Sequence, residues 1–347
     1  MKCLVVSDLQ ATEGSERLRS DRTMPLQRWR VGRLMADLAR HMKERGCHYL
    51  IDLGDTTNER HSVPTGTIQT LMRGLHELAP NPLLSIKLVG NHEQHQKTGL
   101  AHTGDMYAGY HRVIADREVV IVGKTAIICA AFPESDAELS QWLDTTLDKF
   151  NADGYKTLLL GHFQVAGSKM AGGTSDSGVP HSVVNKATVA LLGHVHRPQK
   201  LPGAGNAHYV GSPFQQNFGE FGESKRLAVI DLVTLELEFI PLTGYPVYRR
   251  LSLDALPESP EQLGEDRIEV TLNTDAEVDA FFKHPLAGML TPVVAPQVSE
   301  STPPEPVEEA AATDQAWMSK YAKATPIGVV GMSAEELVSA GIALLNG

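Results

Sequence analysis

Five short apolar runs in this 347-residue chain each end in a glycine, aspartate, asparagine or histidine motif, and their order constrains the fold more than any other feature. Residues 2–7 lead into Asp8-Leu9-Gln10, and residues 49–53 into Gly54-Asp55. Residues 83–89 lead into Gly90-Asn91-His92-Glu93, residues 157–160 into Gly161-His162, and residues 188–192 into Gly193-His194-Val195-His196. Unbroken runs of this length read as strands buried on both faces. In α/β sheets the carboxyl ends of the strands meet at one edge, where ligands bind. Side chains far apart in sequence are therefore expected to share one pocket.

The segments between these runs set the class. Leu34, Leu38 and Met42 recur at helical spacing and predict a helix over 26–45 closed by Gly46. A second helix is expected over 64–79, and a third is marked by Leu139, Trp142, Leu143, Leu147 and Phe150. Gly123-Lys124 sits between two apolar runs, a hairpin signal. Further strands are expected at 207–210, 226–231 and 235–240. Early βαβ alternation followed by hairpins predicts an α/β fold of two packed mixed sheets flanked by helices.

Residues 1–245 are read as this main domain. Residues 246–291 are read as a small α+β capping domain, with a strand at 267–272 and a helix at 275–283. Residues 292–313 hold five prolines, four glutamates and no Lys or Arg, which predicts an extended or disordered linker. Residues 314–347 regain apolar content, with Trp317, Met318 and Tyr321 at helical spacing and Ser333 as an N-cap. They are expected to form helices that dock on a partner or fold back on the chain.

Composition narrows the function. Hydrophobic residues make up 42% and charged residues 21%, ordinary for a globular chain. No apolar run approaches the roughly 18 residues of a membrane span, and the first residues are too short an apolar stretch for a signal peptide. Cys3, Cys47 and Cys129 are scattered, which excludes a thiolate zinc site and fits a cytoplasmic protein. The net charge of −11 argues against nucleic-acid binding by overall field alone. However, residues 292–347 contain seven acids and only two lysines, so much of that charge lies outside the main domain.

The strand-end set comprises two Asp, one Asn, one Gln and four His. Oxygen and imidazole donors without thiolates suit Mn²⁺, Fe²⁺ or Zn²⁺, and suit a pair of ions better than one. Two such ions clamp a phosphoryl group and supply the hydroxide for in-line attack.

These motifs, over residues 1–240, resemble the calcineurin-like metallophosphoesterases, whose pattern is D-x-H … G-D … G-N-H-[DE] … G-H … G-H-x-H. The resemblance implies that Asp8 and His196 hold a first metal, that Asp55 bridges two metals, and that Asn91, His162 and His194 hold the second. It implies that His92 is the acid next to the leaving-group oxygen or the scissile phosphate, and that Asp55 and His92 are the catalytic residues. The cofactors implied are two divalent ions, Mn²⁺ first, with Mg²⁺, Fe²⁺ and Zn²⁺ open. Gln10 departs from the family, which has His there. An amide oxygen is a weaker ligand for a transition metal, so Gln10 is read either as a weak ligand of the first metal or as a residue hydrogen-bonded to one of its ligands.

Gly54-Asp55-Thr56-Thr57-Asn58-Glu59-Arg60 lacks the Asp-Arg pair of the protein Ser/Thr phosphatases. The segment Gly211-Ser212-Pro213-Phe214-Gln215-Gln216-Asn217-Phe218-Gly219-Glu220 is similar to one in SbcD-type DNA repair nucleases, including compact phage versions. That branch implies a DNA exonuclease or endonuclease subunit whose C-terminal segment docks on an SbcC-like SMC-type ATPase; a homodimer is compatible with it. Many of those nucleases carry His where this chain has Asn58. Arg17, Arg19, Arg22, Arg28, Arg30 and Lys97 are the basic candidates for DNA contact. Two other readings stay open. One is a small-nucleotide phosphodiesterase or phosphatase with the same site. The other is a non-catalytic assembly subunit that kept the fold.

Overall fold

A computed structural model of the chain describes residues 1–13, 24–95, 101–170, 173–203 and 205–294. Arg17, Arg19, Arg22, Lys97 and the expected C-terminal helices lie outside the described residues.

The first half runs β1 (Lys2–Val6), α1 (Leu26–Arg45), β2 (Cys47–Asp52), α2 (Thr65–Leu78), β3 (Ile86–Leu88) and β4 (Arg112–Ile114). The hairpin β5 (Arg117–Val122) and β6 (Thr125–Ala130) follows, then α3 (Asp136–Ala152) and β7 (Lys156–His162). Next come the small pair β8 (Lys169–Met170) and β9 (Gly173–Thr174), α4 (His181–Val184), β10 (Val189–Gly193), β11 (Gln199–Lys200) and β12 (Ala207–Tyr209). The chain continues through β13 (Lys225–Asp231), β14 (Leu237–Leu242), β15 (Tyr248–Ser252), β16 (Arg267–Leu272), α5 (Asp275–Lys283) and β17 (Thr291–Val294).

Two six-stranded mixed sheets result, in the orders β14-β13-β1-β2-β3-β4 and β11-β12-β10-β7-β6-β5. The apolar runs are explained by burial on both faces. Cys3 and Val5 of β1 and Ile51 of β2 pack between the sheets with Ile127, Cys129, Leu158 and Leu160. The alternate residues Leu4 and Val6 pack outward with Leu34, Leu38 and Met42 of α1. Ile128, Leu159 and Ala190 face α3 and α4 in the same way. Each such aliphatic side chain contributes about 1.5–3 kcal/mol when removed from water. Helix α1 ends where expected: Gly46 takes a left-handed φ of 64° and turns its N–H back onto the last carbonyls. This is the two-sheet α/β sandwich flanked by helices that the sequence predicts.

Two local expectations change. The third run forms a strand only over Ile86–Leu88, and Leu83 is exposed at the turn before it. Pro292, Val293 and Val294, expected in the linker, belong to β17. That strand completes a parallel sheet, β15-β16-β17, whose core is Ile268, Val270, Leu272, Phe281 and Leu286. Tyr248 ties this sheet to the sandwich: its N–H donates to Gln215 Oε1 and its hydroxyl to the Gln216 carbonyl, each at 2.7 Å. All three cysteines are free and buried. Among the described residues no helix is long and apolar enough to cross a membrane.

Candidate metal centre

Strand register builds the site. Val6 of β1 lies opposite Asp52 of β2, and Gly193 of β10 opposite His162 of β7. Pairing between the first two motifs continues past the strands: Asp8 N–H donates to Gly54 O at 3.0 Å and Gln10 N–H to Asp55 O at 2.8 Å. The motif residues then leave extended geometry abruptly. Asp8, Gln10, Asp55 and His194 have φ of 52°, 44°, 54° and 87°, four of the six non-glycine residues at positive φ in the described chain. Such conformations cost on the order of 1–3 kcal/mol each and persist where the surrounding structure imposes them. Here they turn polar side chains off the strand ends onto one edge.

Close approach explains two of the glycines. A Cβ on Gly90 would lie 2.1 Å from Asp55 Oδ1, and one on Gly193 would lie 2.3 Å from Ser7 Oγ and 2.9 Å from His162 Nδ1. Neither position can carry a side chain without displacing a site residue.

Asp55, His162 and His194 bring one ligand atom each within 4.8 Å of one another, with no cysteine among them. His162 Nδ1–H donates to the Leu53 carbonyl at 2.7 Å, which leaves Nε2 to face Asp55 Oδ2 and Asn91 Oδ1, both at 3.3 Å. Asn91 Oδ1 also lies 2.9 Å from His194 Nδ1. Asp55 Oδ1 accepts from the backbone N–H of His92 at 2.8 Å. The His92 ring donates from Nδ1 to the Asn58 carbonyl at 2.9 Å, which leaves Nε2 for another partner. Because residue 58 contributes its backbone here, the departure at Asn58 leaves this contact intact.

Asp8 is fully buried, accepts from Ser7 Oγ at 2.5 Å, and holds the His194 N–H at 3.0 Å through Oδ1. His196 donates from Nδ1 to Glu220 Oε1 at 2.8 Å. Its other nitrogen, Nε2, lies 3.0 Å from the amide nitrogen of Gln10. All eight residues singled out from the sequence thus gather at one edge, in two adjoining groups. One holds Asp55, Asn91, His92, His162 and His194. The other holds Asp8, Gln10 and His196.

The electrostatics show what the edge is built to hold. Burial alone would raise the pKa of Asp55, but His162 and the hydrogen bonds it receives keep it below the ordinary carboxylate range. Burial would lower His162, but the Asp55 carboxylate, its hydrogen bond and Asp8 push it up to about 9. His194 is pushed down to about 3 by burial and by the neighbouring His162 charge. Burial raises Asp8 against the pull of His162 and His196. A proton on His162 therefore supplies positive charge that the carboxylates need, the position a cation would take. Carboxylate, amide and imidazole donors in this arrangement fit divalent transition metals.

Several supporting residues are not evident from spacing. Glu220 is buried, and its pKa is lowered to about 2: burial opposes ionisation, but His196 and Lys225 outweigh it. Lys225 Nζ donates to Glu220 Oε2 at 2.7 Å. The Gly211–Glu220 segment thus serves to fix the tautomer and orientation of His196. Lys87, fully buried, pairs with Glu93 at 2.8 Å and Asp52 at 3.3 Å, and Glu93 accepts the N–H groups of Gly90 and Thr56 at 3.0 Å. This ion cluster braces the second and third motifs. Phe132 stands beside His194, with ring centroids 5.4 Å apart, and forms an apolar wall. Of the basic DNA candidates, Arg28 lies 3.6 Å from Glu13. Arg30 is a correction: its side chain packs inward, 2% exposed, with the guanidinium 4.1 Å from the Phe214 ring centroid.

No protein-family model and no curated protein matches this sequence. Solved structures do. The chain is similar to a dimetal phosphatase from Danio rerio, at 13% identity and a TM-score of 0.47, over 70% of this chain and 99% of that one. It is also similar to a 5′-nucleotidase precursor from Thermus thermophilus, at 15% identity and a TM-score of 0.39, over 83% of this chain and 59% of that one.

Proposed function

We propose that this chain is a divalent-metal-dependent phosphodiesterase acting on DNA, a nuclease subunit that works with an SMC-type ATPase. The observation that carries the hydrolase reading is the convergence of Asp55, His162 and His194 with Asn91 and Asp8 at one strained sheet edge. The nuclease reading rests on the Gly211–Glu220 segment and on the order of segments along the chain; the ATPase partner rests on that order alone.

Asp55, Asn91, His162 and His194 would hold one ion, and Asp8, His196 and Gln10 the other, with Asp55 between them. The ions, Mn²⁺ by preference, would supply Lewis-acid polarisation and a nucleophile at neutral pH. The protein's own part is positional. His92, oriented by the Asn58 carbonyl, presents Nε2 to the leaving oxygen and donates a proton to it. Phe132 keeps water from one side of the imidazoles. Glu220 holds His196 in the tautomer that keeps Nε2 as an acceptor.

The test is degradation of labelled linear DNA by the purified chain with Mn²⁺, with Mg²⁺ and with EDTA, beside bis(p-nitrophenyl) phosphate and the His92→Ala variant. Metal-dependent cleavage of DNA, lost in the variant, is the expected result. Cleavage of the small diester alone would favour a small-substrate enzyme. No cleavage of either at high Mn²⁺ would favour an assembly subunit.

A further inference from the structure

A cleft of about 330 Å³ opens between the sandwich and the small sheet, lined by Gln27, Gln216, Phe218, Tyr248 and Arg267. It adjoins the metal edge through one loop. Gln216 Nε2 donates to the Leu9 carbonyl at 3.3 Å, between Asp8 and Gln10, and Gln216 N–H donates to Glu220, the partner of His196. Its volume lies at the small end of the range for ligand clefts, enough for a piece of a substrate and not for a duplex.

The charge around it is one-sided. Arg267 lines the cleft, and among the described residues its guanidinium has no carboxylate within ion-pair distance. Behind the wall lies Arg30, buried and also without an ion pair among the described residues. Its Nη1 donates to cleft-lining Gln27 at 3.1 Å, its Nη2 donates to the Gln215 carbonyl, and among the described residues its Nε has no hydrogen-bond partner. The nearby Glu220 is already engaged by Lys225 and His196. Burial depresses the Arg30 pKa to about 10; the Tyr248 hydroxyl, hydrogen-bonded to it, and Glu220 pull the other way, and Arg267 adds to the lowering, so the two guanidiniums feel each other. Buried charge is normally paired, and two cations beside an open polar cleft leave room for an anion. A guanidinium fork matches a phosphate.

We propose that this cleft is a second phosphate subsite: Arg267 takes a phosphate of the substrate other than the scissile one, over the buried charge of Arg30. The inference rests on the phosphoester reading of the metal edge and deepens it. A substrate that fills both positions carries at least two phosphates along one chain, so the site selects an oligonucleotide strand over a phosphomonoester. Phe218 and Tyr248, with ring centroids 4.7 Å apart, offer the sugar or base of that nucleotide an apolar edge.

The test is binding, without turnover. Fluorescence anisotropy of a labelled eight-residue single-stranded oligodeoxynucleotide, with the full chain in EDTA, compares wild type with Arg267→Gln and Arg267→Lys. Thermal melts check that each variant is folded. Arg267→Gln should weaken binding about tenfold and lower the salt slope by about one, while Arg267→Lys keeps the salt slope and loses only the part of the affinity that the fork adds. Methylphosphonates that neutralise one linkage at a time should show a position that costs wild type about tenfold and Arg267→Gln nothing, since the two changes remove the same contact. Inorganic phosphate in competition separates a free-anion site, displaced at low concentration, from a strand site. Unchanged affinity in Arg267→Gln, equal sensitivity of both proteins to every linkage, or displacement by free phosphate at low concentration would each overturn the subsite. Failure of the metal-edge reading shows separately, as absence of bis(p-nitrophenyl) phosphate hydrolysis by wild type.

Discussion

The amide nitrogen of Gln10 lies 3.0 Å from Nε2 of His196, the nitrogen left with a lone pair because Nδ1 donates to Glu220. Gln10 therefore stands where the family resemblance implies a ligand, and hydrogen-bonds to His196 beside it. For Gln10 and His196 to hold a metal here, the Gln10 amide would have to turn its oxygen, not its N–H, toward the ion. Gln10→His should raise Mn²⁺ affinity about tenfold, since imidazole is the better donor. Calorimetric titration checks this; unchanged affinity would show that residue 10 stays out of the coordination sphere.

Glu220 reaches the candidate metal edge through His196, whose ring donates to it at 2.8 Å, and more remotely through Gln216. Glu220→Gln keeps the shape but removes the charge that fixes the imidazole and balances Lys225. Metal affinity should fall about 10–100-fold with the fold retained. A titration that matches wild type would reduce Glu220 to a loop anchor.

Gly90→Ala tests the close approach at the third motif. The added methyl meets Asp55 Oδ1 and cannot fit without moving it. Stability should fall by about 1–3 kcal/mol, and metal binding should weaken more than this loss explains. Denaturant melts and Mn²⁺ titration together separate the two effects.

Lys87→Met leaves Asp52 and Glu93 buried without their cation. Removing one partner of a buried ionic cluster typically costs about 3–5 kcal/mol. Urea unfolding should show a loss of this order, and a loss under about 1 kcal/mol would mean that the carboxylates take up protons instead.

His111 predicts an acid-side instability unconnected with metal. It is buried, neither ring nitrogen has a partner among the described residues, and burial, with Lys87 adding to it against Asp52, pushes its pKa down to about 4. The unfolded chain takes up this proton near pH 6.5 and the folded chain only near 4. Stability is thus fully present above pH 6.5 and declines as pH falls toward 4, by up to about 3 kcal/mol. His111→Phe should flatten that part of the stability curve; an unaltered curve would place the acid sensitivity elsewhere.

Much of the fold was legible in the sequence because both faces of β1, β2, β6, β7 and β10 are covered, which makes them unbroken apolar runs. Strand β3 was overestimated, since Leu83 and Leu84 belong to the same apolar stretch but to a turn. Strand β17 has little local signal because the proline-rich composition around it outweighs Val293 and Val294. The strand-end motifs marked Asp8, Gln10, Asp55, Asn91, His92, His162, His194 and His196 because turns at strand ends leave a local signature. Phe132, Lys87 and the role of Glu220 left none, since each acts across the chain on a partner that is not its sequence neighbour.

By itself the sequence determined which donor atoms are present and that strand ends would carry them, because burial, periodicity and turns are local properties of the chain. Only the tertiary structure decided which donors face one another. The register of β1 on β2 and of β10 on β7 set the convergence, and packing against Gly90 and Gly193 imposed the strained backbone. The docking of the small sheet onto Gln215 and Gln216 placed Arg267 and Arg30 around one cleft. Distances of this kind are fixed by contacts between residues tens to hundreds of positions apart, and a linear pattern carries no measure of them.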